Sequence, residues 1–327
     1  MFARHDARRI PLQAFAIQAF AILAFGLLLG CGGAFAGAPL GISVEIPGMK
    51  GKVTINDRGN ARIHTYAFSP GSSTTHIIET GEGLVVIDSQ MMVPDAREAA
   101  AYARSLNKPI RRLIISHAHP DHWLGLGEWG DVPTASIVDI KDFIDGEQGA
   151  ALYRGFREGI PPYRALCPAL SDKKGTIANV LPASEKIIGL DFVFEKVLDG
   201  EADVQVVVKL PEIKTLIVQD LVYNNLHHFI GQNRPASEAL PTFDGWIDTM
   251  RRLKAENPGV ELLLVGHGAP TSPAAIDETI AYLGKAKEMF QKAKDGSELK
   301  RFMEAAYPNL DGIRYIDISS GYMYLKP

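Results

Sequence analysis

Cysteine is nearly absent: Cys31 and Cys167 are the two in 327 residues. So few exclude a disulfide framework and a thiol-ligated metal centre, so any metal must be held by imidazole and carboxylate. Cys167, in Leu166-Cys167-Pro168 with no His or cation pattern beside it, reads as a buried or incidental thiol. Charge of one sign is also lacking. The 34 basic and 38 acidic residues leave a net charge of −4, and no basic run is interleaved with aromatics, which argues against a nucleic-acid partner. No internal repeat and no low-complexity tract beyond the N-terminus can be found, and the composition argues against collagen-like, coiled-coil and disordered chains. What is present, 46% hydrophobic and 22% charged residues, suits a globular chain with a sizeable core, in one domain or two lobes.

The N-terminus has the order of a secretory signal. Arg4, Arg8 and Arg9 precede an apolar stretch from Leu12 to Leu29, and small residues follow. Residues 1–36 are therefore set aside from the fold. Ala34-Phe35-Ala36 fits the small-x-small rule and would release a soluble protein near Gly37. The alternative, Leu28-Leu29-Gly30-Cys31, resembles a lipobox and would tether the protein to a membrane through a lipid on Cys31. Both place the mature protein outside the cytoplasm, periplasmic or secreted in the first reading and a membrane-anchored lipoprotein in the second.

From Val44 to Ile87, short β-branched runs alternate with turns such as Asp57-Arg58-Gly59-Asn60 and Gly81-Glu82-Gly83, as in an antiparallel meander. Pro94 to Leu106 has helical spacing, and Arg111 to Ser116 is a buried-strand run. About 139–182 is a Gly- and Pro-rich insertion with weak periodicity, read as a partly helical cover. Strands return at Ile187-Ile188, Phe192 to Val197, Val204 to Leu210 and Thr215 to Gln219; the strand Glu261 to Val265 sits between helices at Phe243 to Ala255 and Pro273 to Ala293. This order suggests an α/β protein of two mixed halves, with sheets face to face and helices outside.

The strand ending at Ser116 delivers His117-Ala118-His119-Pro120-Asp121-His122. Alternate residues of an extended segment share a side, which pairs His117 with His119. Pro120 suits the first position of a helix, so Asp121 and His122 occupy its first turn and all four donors converge. Three imidazoles and a carboxylate at the mouth of a buried strand are hard to satisfy without a cation. Gly125 and Gly127 are read as permitting close backbone approach, and Trp123 and Trp129 as packing around the motif. His64 and His76, on strands, are read as core or surface histidines.

The motif resembles the HxHxDH signature of the metallo-β-lactamase superfamily at every position, and the likeness runs from about Ala61 to Pro270. It implies an αββα four-layer sandwich over residues 37–327. Leu84 to Asp88 resembles the family's strand ending in an Asp upstream of the motif; Asp88 is expected to position a ligand imidazole or the motif loop, the alternative being a cap on the turn at the strand end. Val218-Gln219-Asp220 resembles the strand whose terminal Asp bridges two metals, and Gly266-His267-Gly268 the last ligand.

One position departs. Gly200 stands where the family has a further His, and no His lies between His122 and His227. Three alternatives are open: the first metal site is empty, it draws on His227 or His228, or Glu201 fills the gap. Glu201 is favoured, because the alkylsulfatase branch has a Glu in a similar Glu-Ala context. The implied centre holds one or two zinc ions, with iron or manganese also tolerated. His117, His119 and Glu201 bind one, Asp121, His122 and His267 the other, and Asp220 lies between. Asp121 and Asp220 are the expected catalytic carboxylates, and one of His227 and His228 is expected to touch substrate or else face solvent. The expected activity is hydrolysis of a small ester, sulfate ester, lactone or amide by a metal-activated water. An iron-dependent redox relative and a silent metal-binding accessory protein are the alternatives.

Overall fold

The computed structural model describes residues 39–159, 170–231 and 243–324, all within one compact unit, Phe35–Pro327. The signal reading at 1–36, Cys31 and Cys167 lie outside the described residues.

Eight strands form the first sheet in simple sequence order, β1 to β8. Ile42–Glu45 (β1), Lys52–Asp57 (β2), Arg62–Ala67 (β3), Thr74–Glu79 (β4) and Leu84–Ile87 (β5) make the expected antiparallel meander. Helix α1, Val93–Ser105, then crosses back, and Ile110–Ile114 (β6), Thr134–Ser136 (β7) and Asn179–Val180 (β8) add on in parallel. Parallel neighbours need such crossovers, whereas tight turns suffice for the meander.

The second sheet runs β13-β12-β11-β10-β9. Ser184–Ile187 (β9), Leu190–Val197 (β10), Gln205–Leu210 (β11) and Thr215–Tyr223 (β12) are antiparallel, and Leu262–His267 (β13) lies parallel to β12. One apolar core is shared between the sheets, joining Ile77 and Val86 of the first to Phe192, Val208 and Ile217 of the second. A second core packs the outer face of the second sheet on Phe243–Glu256 (α5) and Ala274–Lys292 (α6). The result is helices, sheet, sheet, helices. β12 is buried along all nine residues because it is covered on both faces.

The described part of the insertion packs on the first sheet. It forms helices Val138–Asp145 (α3) and Glu147–Arg157 (α4) and the edge strand β8, and Ile140, Ile144 and Phe156 enter the first core. Residues 171–175 press on the turn that follows the motif. A Cβ on Gly127 would fall 2.2 Å from the Lys173 carbonyl, and Lys174 sits over the Trp123 ring. Residues 171–175 brace the motif from the side, and among the described residues of the segment none belongs to the donor groups. Two further helices, Gly296–Ala306 (α7) and Arg314–Met323 (α8), follow α6 where no helix was read from the sequence.

Candidate metal centre

Backbone geometry brings the donors together. Pro120 starts a four-residue helix, Pro120–Trp123 (α2), with extended His119 at its N-cap, so His117 and His119 come from the strand end and Asp121 and His122 from the first turn. Gly125 lets that turn approach the loop after β5, where a Cβ would meet the Ser89 carbonyl at 2.6 Å. Trp123 and Trp129 are buried, each donating its indole N–H to a backbone carbonyl.

Two groups of donors face each other. In one, His119 Nδ1 lies 3.0 Å from Glu201 Oε2, and His117 Nε2 lies 3.8 Å from both Glu201 Oε2 and Asp220 Oδ2. In the other, His267 Nε2 lies 3.3 Å from Asp121 Oδ2, and His122 Nε2 lies 3.7 Å from the same oxygen. Asp220 stands between them, 3.2 Å from His122 Nε2 through Oδ1 and 3.2 Å from His267 Nε2 through Oδ2. Within each group the candidate ligand atoms all lie within 4.8 Å of one another.

The outward nitrogens are held. Asp88, in a left-handed conformation at φ 63°, accepts the Ser116 N–H at 2.7 Å on Oδ1 and the Ser116 hydroxyl and His122 Nδ1–H at 2.7 Å each on Oδ2. Because Ser116 gives its only hydroxyl proton to Asp88, it accepts from His117 Nδ1–H at 2.9 Å. Both rings therefore keep a proton on the outward Nδ1 and aim Nε2 inward, the arrangement that backs histidine ligands in metal sites. Gln219 also donates to Asp88 and accepts from His76 Nε2, whose other nitrogen meets the Thr65 hydroxyl. Asp88 is saturated by hydrogen bonds and acts by orienting.

The inward atoms are not satisfied. Among the described residues, the buried side-chain atoms without a hydrogen-bond partner include His117 Nε2, His122 Nε2, Glu201 Oε2 and Asp220 Oδ1. Four buried polar atoms facing one space without hydrogen bonds are costly, and a cation would meet them together. Burial pushes the Glu201 carboxyl up to about 7. Burial pushes Asp220 the same way, but His122 and His267 more than reverse it and hold Asp220 well below the usual carboxylate range. Nitrogen and oxygen donors in this set fit a zinc-type cation.

The gap at Gly200 is closed by packing. A Cβ there would fall 2.3 Å from Gln205 Nε2 and 2.7 Å from Leu221 Cδ2, so a larger side chain would have to displace both side-chain ends. The next residue, Glu201, is fully buried and points at His119 instead. His227 and His228 join none of the donor groups. They are buried, which also overturns solvent exposure: His227 meets the Tyr282 hydroxyl at 3.1 Å, and His228 lies between Tyr223 and Tyr282 with ring centroids 5.0 and 4.4 Å away. His64 and His76 are core histidines.

Tyr223 was missed in the sequence. Its hydroxyl donates to Asp220 Oδ2 at 2.9 Å, and its ring stacks on His267 at 4.5 Å. Three residues apart on a regular strand, Asp220 and Tyr223 would face opposite ways. The ladder between β12 and β13 instead shifts register between Gln219 and Tyr223, with Gln219 at φ 44°, and such irregularities re-aim side chains.

A family model described as the metallo-beta-lactamase superfamily matches residues 68–267. An alkyl/aryl-sulfatase of Saccharomyces cerevisiae is 24% identical over 276 residues, 73% of this chain and 41% of the relative, so the chain spans about two fifths of that protein's length. Among solved structures, a metallo-beta-lactamase from Pontibacter korlensis superposes with a TM-score of 0.51 at 18% identity, covering 71% of this chain and 99% of that one. A metallo-beta-lactamase from Pseudomonas aeruginosa, in its mono-zinc form, superposes at 0.50 with 16% identity over 72% and 96% of the two chains.

Proposed function

Because the chain belongs to the metallo-beta-lactamase superfamily, we propose that it is a metal-dependent hydrolase of small ester-type substrates, with sulfate esters foremost. The observation that carries this reading is the set of buried, unpartnered nitrogen and oxygen atoms converging from His117, His122, Glu201 and Asp220. His117, His119 and Glu201 would hold one cation, and Asp121, His122 and His267 a second, with Asp220 between. Bound there, zinc supplies Lewis acidity and an activated water at neutral pH.

The protein's own part follows from exposure. Asp121 is the most open of the set, with 32% of its side chain exposed against 12% for His119 and at most 2% for His117, His122, Glu201, Asp220 and His267. Substrate thus arrives over Asp121 and His119, and Asp121 is the carboxylate placed to hold or pass a proton at Oδ2. Beside that opening, Phe229 stands edge-on to His119 at 5.6 Å, with Tyr322 5.7 Å beyond it. An aromatic wall there favours a substrate with an apolar part next to its reacting group. The sulfatase relative, together with a Glu where the motif elsewhere has a His, supports the sulfate ester.

The test is elemental analysis of purified protein alongside turnover of p-nitrophenyl sulfate, p-nitrophenyl acetate, a γ-lactone and nitrocefin. Two metals per chain and preference for the sulfate are expected. Absence of stoichiometric metal, or no turnover of any of the four, refutes a hydrolase; preference for another of them refutes the sulfate assignment. Residues 1–36 support export, and mass spectrometry of the mature N-terminus separates cleavage near Gly37 from a lipid on Cys31.

A further inference from the structure

Helix α8 lies outside the residues that match the family model, yet it reaches the centre at His267. Tyr315, in its first turn, is buried with its hydroxyl 2.9 Å from His267 Nδ1. The same hydroxyl donates to the carbonyl of Gly71, and that carbonyl lies 3.3 Å from His267 Nδ1. A phenol has one proton, and Tyr315 gives it to Gly71, so it can only accept from His267. Gly71 can only accept as well. Nδ1 must therefore carry a proton, which makes Nε2, the atom that faces Asp121 and Asp220, the nitrogen available to a cation.

The ring's tilt is held as firmly as its tautomer. Tyr223 stacks on His267 with planes 15° apart, and Tyr315 crosses it at 66° with centroids 5.2 Å apart. Tyr315 is itself pinned by its neighbours. Arg314 donates to Gly71 at 3.0 Å, and further along the helix the Ser319 hydroxyl accepts the Ile230 N–H at 2.8 Å. His117 and His122 get the equivalent support from Ser116 and Asp88, within the matched segment. His267 gets it from a helix more than forty residues further along the chain.

We propose that Tyr315 is the positioning residue for His267, so that the C-terminal helix α8 is a working part of the metal centre. The inference rests on the metal-centre reading above. Fixing an imidazole's outer nitrogen sets both its basicity and its aim, and loss of such partners typically weakens metal binding about 10–100-fold.

The test compares Tyr315→Phe and Ser319→Ala with the unaltered full chain, each loaded with zinc or cobalt. Tyr315→Phe keeps the ring and removes the hydroxyl; Ser319→Ala loosens the same helix without touching His267. For Tyr315→Phe we expect one of two metals to leave at about 10–100-fold lower chelator concentration, with a changed visible spectrum of the cobalt form and a nearly unchanged metal-free melting curve. For Ser319→Ala we expect a lower melting temperature and unaltered chelator resistance. Wild-type chelator resistance and spectrum in Tyr315→Phe overturn the proposal. Equal metal loss in both variants also overturns it, because the helix would then act only by docking. An unaltered chain that takes up no metal refutes the metal centre itself, a result distinct from both.

Discussion

Glu201→Gln removes one buried negative charge while nearly preserving shape, and its effect should change sign with metal. In the metal-free protein, burial raises the Glu201 carboxyl from 4.5 to about 7. The unfolded chain releases that proton near pH 4.5, whereas the folded chain keeps it to about pH 7. Folding therefore loses stability as pH rises across this window and carries the full deficit above it, on the order of 3 kcal/mol. His119, whose pKa burial lowers but Glu201, Asp220 and Asp121 together raise, loses the Glu201 charge in the variant, so this figure is a ceiling. Metal-free Glu201→Gln should thus be more stable than the parent at pH 8, by up to about 3 kcal/mol, and by about 1 kcal/mol or less at pH 5. The metal-loaded form should do the reverse. A neutral amide replaces a carboxylate donor, and affinity at the site of His117 and His119 should fall by at least the roughly 100-fold attributed to losing an outer partner. Urea unfolding at both pH values, with and without zinc, together with chelator competition, measures both effects. Destabilisation of the metal-free variant at pH 8, or two metals held with parental affinity, would refute the placement of Glu201 as a buried charge awaiting a cation.

Three further outcomes follow from the packing. In Gly266→Ala the new Cβ would sit 1.6 Å from Asp220 Oδ1 and 2.8 Å from the Asp220 amide nitrogen. Asp220 must move, and we expect about 1–3 kcal/mol of destabilisation with less than parental metal content, read by melting and elemental analysis. Asp88→Asn replaces an acceptor of four hydrogen bonds by a group that must turn an NH2 toward donors, so metal affinity should fall about 10–100-fold and stability by about 1–3 kcal/mol. Stripping metal with a chelator should lower unfolding free energy by about 4 kcal/mol relative to protein held at a thousandfold excess over Kd, and added zinc should restore it.

Much of the fold was legible because periodicity is local. The antiparallel meander, α1, α5, α6 and the strand before His267 follow from runs of a few residues whose alternation or helical spacing needs no distant partner. The motif was legible for the same reason: Pro120 and the strand end place its four donors within six residues. The role of the 139–182 insertion was not, since its weak periodicity leaves unstated which surface its apolar residues seek. The helices α7 and α8 were missed altogether, although both bury apolar side chains in the second core.

The sequence by itself determined that any metal here meets imidazole and carboxylate, because thiols are lacking, and that His117, His119, Asp121 and His122 converge. Only the tertiary structure decided which acid lies beside His119, next to the position of the missing His. Gln205 and Leu221 fill the space at Gly200, and the next side chain turns inward. Tertiary structure also decided which residues hold the ligands in place. Gln219 reaches Asp88 and Tyr223 reaches Asp220 through an irregular strand, and Tyr315 reaches His267 from the far end of the chain. Local spacing records how neighbouring side chains point. The tautomer and tilt of a buried imidazole depend on whatever the folded chain brings against its outer nitrogen, and no local pattern contains that.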